Sequence, residues 1–61
     1  MFKIGERLRQ KYTRDSSTYK IIDKIVHSSC LETYYTIAGT YGDIIAGISE
    51  DSLNNLYYKI E

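Results

Sequence analysis

The chain has 61 residues, 43% of them hydrophobic, with eight basic and eight acidic side chains and a formal net charge of zero. That length holds one domain at most, residues 1–61, and spares few interior positions for a buried active site, because so small a chain hides only about 60% of the surface its unfolded form exposes. No apolar run approaches the roughly 18–20 residues that cross a bilayer, and Met1-Phe2-Lys3-Ile4-Gly5-Glu6-Arg7 is too charged for a signal peptide, so no membrane association is expected. Cys30 is the only cysteine, which rules out an internal disulfide and fits a reducing, cytoplasmic setting. Charge is segregated along the chain. Residues 1–24 hold seven basic and three acidic side chains, a net +4, and residues 25–61 hold one basic and five acidic, a net −4.

Alternating patterns dominate from the start. Leu8-Arg9-Gln10-Lys11-Tyr12 sets Leu8 and Tyr12 on one face of a first strand and Arg9 and Lys11 on the other. After the polar turn Thr13-Arg14-Asp15-Ser16-Ser17, the β-branched and aromatic run from Thr18 to Val26 reads as a second strand. Beyond the polar turn His27-Ser28-Ser29-Cys30, Thr33-Tyr34-Tyr35-Thr36-Ile37-Ala38 reads as a third, with Tyr35 and Ile37 inward. Gly39-Thr40-Tyr41-Gly42-Asp43 carries the glycines of a tight hairpin into a fourth strand, Asp43–Ile48. Ser49 then suits a helix N-cap, with Glu50 and Asp51 at the positive end of a short turn. Residues 50–60 admit two readings. Leu53, Leu56, Tyr57 and Ile60 fall on one face of a helix, but Asn54-Asn55 is a poor helix interior and Tyr57-Tyr58-Lys59-Ile60 favours a strand. A short turn followed by a fifth strand, with Leu56, Tyr58 and Ile60 inward, is the preferred reading.

Two resemblances follow. Ile4-Gly5-Glu6-Arg7-Leu8-Arg9-Gln10 resembles the opening helix of repressor-type helix-turn-helix domains, but the alternation from Tyr19 to Val26 denies the helices that must come next. The whole pattern resembles an SH3-like small β-barrel. The residues that carry this are Gly5 and Leu8, Tyr19-Lys20-Ile21 with Ile25, Tyr35-Thr36-Ile37, and the closing segment Ile48-x-Glu50-x-x-Leu53. The resemblance implies an all-β, five-stranded barrel with one short helical turn before the last strand. Such barrels bind peptides, RNA or DNA, and the fold alone does not choose among them. The chain lacks the tryptophan of polyproline-binding SH3 domains. Its size is also similar to that of small phage-encoded proteins that bind and redirect a host protein.

No nucleophile–base–orienter set can be assembled, so no catalytic residue and no enzyme activity are expected. His27 and Cys30 supply two of the four ligands of a structural zinc site and no further His or Cys follows, so no metal or cofactor is expected. Asp43, Glu50 and Asp51 read as turn and cap residues, with an anionic patch as their functional alternative. The leading expectation is a non-enzymatic protein-binding module or inhibitor that presents Tyr34, Tyr41, Tyr57 and Ile45 outward, Tyr34 and Tyr57 lying opposite the inward Tyr35 and Tyr58. The alternative is a nucleic-acid-binding barrel that uses Arg7, Arg9 and Lys11 on the first strand, with Lys3, Arg14 and Lys20 nearby. The same apolar surface would also serve a homodimer, which would supplement the thin core.

Overall fold

The computed structural model describes residues 2–14, 17–29 and 31–60. Five strands and one helix follow in the order β1 (Arg7–Gln10), β2 (Tyr19–His27), β3 (Glu32–Gly39), β4 (Ile44–Ser49), α1 (Glu50–Leu56) and β5 (Tyr57–Lys59). All pairings are antiparallel, and the sheet order is β4-β3-β2-β1-β5. The all-β reading and the number of strands agree with the alternation in the sequence, and residues 4–10 form a turn and a strand instead of a helix.

β4 and β5 are the two edges, and they do not pair with each other among the described residues. They are nevertheless consecutive, joined only by α1. Four strand spacings in a flat sheet would hold these edges roughly 19 Å apart, whereas seven helical residues advance only about 10 Å. The sheet must therefore curl, and α1 packs against β3, β4 and β5 across its concave side.

That concave side holds the core: Phe2, Leu8, Ile21, Tyr35, Ile37, Leu53 and Tyr57, with Tyr19 and Ile48 packed against it. Phe2 meets Tyr35 edge-to-face at 5.8 Å, and Tyr19 meets Tyr57 likewise at 5.4 Å. The Tyr35 hydroxyl donates to Glu50 Oε1 at 2.6 Å and accepts from the Phe2 amide at 3.3 Å. One phenol thus ties the N-terminal segment and α1 to the middle of the sheet. Its burial, reinforced by the Glu50 carboxylate, pushes the Tyr35 phenol above its ordinary range. Lys24 Nζ donates to the Phe2 carbonyl at 3.4 Å, which fixes the same segment from β2.

The connections follow local chemistry. The Gly42 amide donates to the Gly39 carbonyl at 3.2 Å, and the Gly39 amide to the Asp43 carbonyl at 2.7 Å. With Gly42 at φ +90°, this is the three-residue hairpin that ends in a left-handed residue, a conformation glycine adopts without steric cost. Ser49 caps α1 by accepting from the Ser52 amide, and Glu50 and Asp51 occupy the first turn. The helix is longer than a single turn and runs through Leu56.

Two expectations are corrected. β1 ends at Gln10, so Lys11 and Tyr12 lie beyond it, and Tyr12 is exposed instead of sharing the Leu8 face. The fifth strand has the opposite phase: Tyr57 is buried and Tyr58 is exposed at 43%. The cause is the helix. Leu56 is spent on α1, and the Tyr57 amide still bonds to the Leu53 carbonyl as the chain turns extended. Tyr57 then enters β5 opposite Gln10 and packs on Tyr19. Glu50 and Asp51 sit in the first turn of α1, as the turn-and-cap reading expects, and Asp43 stands at the far end of β4, about 20 Å of strand away, so the alternative of a shared acidic patch does not include it.

Candidate functional site

The edge strand β4 positions the site. Its sequence, Ile-Ile-Ala-Gly-Ile-Ser, contains no charge, although charged side chains are the usual protection of an edge. Opposite β3 the register shifts between Tyr35 and Ile37, which face Ile48 and Ile45. The extra residue is taken up at Gly47, which stands at φ +72°. This bulge turns Ile45 and Ile48 to the same side as the core face of β3, but at the sheet margin, so that Ile45 stays partly exposed.

Beside β4 runs an open groove of about 550 Å³, bounded by Tyr34, Ile45 and Ile48 on the sheet and by Ser52, Leu56 and Tyr57 on α1 and β5. It occupies the gap between the two unpaired edges. Three of the four tyrosine and isoleucine positions expected to bind a partner, Tyr34, Ile45 and Tyr57, therefore meet in one place. Their roles differ from the expectation. Tyr57 is buried and forms part of the wall instead of projecting outward, for the reason of phase given above. Tyr34 is half-buried, donates its hydroxyl to Glu32 and stands edge-on to His27 at 5.1 Å. Tyr41 is exposed at 84% but sits at the β3–β4 hairpin tip, away from the groove. Leu56, expected to face inward on the fifth strand, instead ends α1 and is exposed at 50%.

The groove is rimmed by acid and not by base. Glu32 lines it, and Glu50 and Asp51 line the adjoining cleft beyond Ser49. Nearby, Leu31 at the β2–β3 turn is exposed with φ +56°, a left-handed position that costs a branched side chain about 1–2 kcal/mol. His27 lies on the arm formed by β2 and β3, while Cys30 is outside the described residues. No group of three or more His, Cys, Asp or Glu side chains suited to a metal ion occurs among the described residues, and no helix among them is long and apolar enough to cross a membrane.

On β1 the expected basic stripe is present in part. Arg7 and Arg9 flank the buried Leu8 and so face outward together. Lys11 falls past the strand end, where its amide donates to the Leu56 carbonyl at 2.8 Å. No family model, curated protein or solved structure matches the chain.

Proposed function

We propose that this protein is a non-enzymatic binding module for another protein, built as an SH3-like small barrel whose wall is left open between β4 and β5. The single observation that carries the reading is the groove between the two sheet edges, where an uncharged edge strand with exposed isoleucines borders a cleft lined by Tyr34, Ile45 and Leu56. An extended segment of a partner would pair with the free backbone of β4 and seat apolar side chains in the cleft, as in β-strand addition. The acidic rim of Glu32, Glu50 and Asp51 would favour a partner segment with basic flanks. The strand order and the helix between β4 and β5 support the barrel reading. The lone cysteine supports a cytoplasmic setting. A module of this kind serves equally as an inhibitor that occupies its partner's surface.

The test is affinity capture from a source lysate with the wild-type chain beside Leu56→Lys and Ile45→Lys. Leu56→Lys is the cleaner variant, because α1 has no basic residue in its last turn and a cation there suits the helix dipole. The expected result is a stoichiometric protein partner whose binding falls by about tenfold or more in both variants, a loss of the size seen for anchor residues. Recovery of no partner, or of one indifferent to both substitutions, rejects the proposal. Sedimentation at micromolar concentration reports separately whether a second copy of the chain takes the edge.

A further inference from the structure

We infer that the convex face of the sheet, around Arg7, Arg9 and Lys20, binds the phosphodiester backbone of single-stranded nucleic acid. This surface is separate from the groove and does not depend on it.

The inference begins with strand register. Arg7 lies directly opposite Lys20, and both are exposed. The Ile21 amide donates to the Glu6 carbonyl at 3.0 Å, so the next pair along, Arg7 and Lys20, is the close kind without hydrogen bonds between its residues. Like charges directly opposite on one face are destabilising. Two residues along β1, Arg9 adds a third cation on the same face. Among the described residues none of the three forms an ion pair: the one ion pair there joins Lys59 to Glu6 at 3.4 Å, and Arg9 Nε is buried without a hydrogen-bond partner. Asp23, the nearest acid along β2, pairs with Thr36 and so shares the outward face, but it stands beyond the bulge at Ile22 and accepts from the Lys24 amide. A chain of zero net charge thus gathers on one side three cations that form no ion pair among the described residues.

The shape fits a polyanion. Arg7 and Lys20 line a shallow depression of about 320 Å³ with Thr18, Ile22, Ala38 and Thr40, where the Thr18 and Thr40 hydroxyls stand 3.2 Å apart. Exposed tyrosines flank it on both sides. Tyr58 lies opposite Arg9 on β5, and Tyr41 projects from the hairpin next to Thr40. A basic track between aromatic rings is the arrangement that holds single strands, with cations on the phosphates and rings stacked on the bases. Its width across four strands accommodates of order four nucleotides, the small end of known site sizes. Arg7, Arg9 and Lys20 thus replace the linear set Arg7, Arg9 and Lys11, since the cross-strand neighbour is the closer one.

The test uses fluorescence anisotropy of labelled oligothymidylate and oligouridylate with the full chain. Binding is expected at about 50 mM salt, with a log–log salt slope near −2, as three phosphate contacts on a single strand require. Arg7→Ala and Lys20→Ala should each weaken binding severalfold and flatten the slope by about 0.7. Tyr58→Ala should weaken it about tenfold with the slope unchanged. Lys59→Ala removes the same charge from the opposite face and should leave the slope as it is. Absence of binding at that salt, equal losses from Lys59→Ala and Arg7→Ala, or binding only to vesicles of anionic phospholipid overturns the inference.

Discussion

β4 and β5 are both edges of the same sheet, yet they are built in opposite ways. β5 has three residues, is anchored by a buried tyrosine and ends on a lysine that reaches back to Glu6. β4 has six residues, carries no charge and exposes Ile44 at 66% and Ile45 beside it. A short, charged, anchored edge resists pairing with another chain, and a longer apolar one invites it. The contrast puts the anchored edge at β5 and the edge left open to pairing at β4.

The strongest way to break this comparison is to remove the anchor. Tyr57→Ala takes a buried ring from the core and from its contact with Tyr19, and should cost about 3–4 kcal/mol of unfolding free energy in urea denaturation. Tyr58→Ala, on the exposed side of the same short strand, should cost under about 1 kcal/mol. Equal costs, or the larger one at Tyr58, would restore the other phase of β5 and with it an outward Tyr57.

The edge at β4 is tested by its bulge. Gly47→Ala meets no atom within 4 Å of the added Cβ, so its penalty is confined to backbone at φ +72°. The left-handed conformation should make the variant about 1–2 kcal/mol less stable. Gly47→Asn should lose less, because asparagine tolerates that region better. No difference between wild type, alanine and asparagine in thermal unfolding would mean that β4 runs without the bulge, and Ile45 would then turn away from the groove.

Legibility in the sequence tracked the kind of interaction involved. Tyr35 and Ile37 were readable as core because alternation, burial and strand propensity all agree there. The Gly42 hairpin and the Ser49 cap were readable because each rests on a few adjacent residues. β5 was not, since Leu56, Tyr57, Tyr58 and Ile60 offer an apolar residue in either phase, and only the end of α1 decides between them. Phe2 was missed as core because no local pattern surrounds it; the Tyr35 hydroxyl and Lys24, both distant in sequence, hold it in place. The same distance left the pairing of Arg7 unreadable, although Lys20 was expected nearby. The partner of Arg7 is Lys20, thirteen residues on across a turn, whereas Lys11 is near in sequence and leaves the face when the strand ends. Bulges at Ile22 and Gly47 reset the phase of β2 and β4 in ways that simple alternation does not encode.

The smallest expected effect concerns how β5 is tethered. Glu6 Oε1 accepts from the Lys3 amide at 2.6 Å, and its other oxygen lies 3.4 Å from Lys59 Nζ. The amide bond chiefly holds the carboxyl below its ordinary value of 4.5, opposed next by burial, with the Lys59 charge a lesser contribution in the same direction as the amide. A carboxyl depressed in the folded state stabilises it fully above that ordinary value, and the contribution fades as pH falls through the lower folded-state value. Thermal midpoints measured from about pH 6 downward should therefore show wild type above Glu6→Gln, with the gap closing under acid. Lys59→Ala should lose only the part of the gap that salt also screens, because the Lys3 amide remains. If Lys59→Ala instead matched Glu6→Gln at every pH, the tether would be the ion pair alone, and β5 would owe its quiet edge to one surface charge and not to the turn that precedes β1.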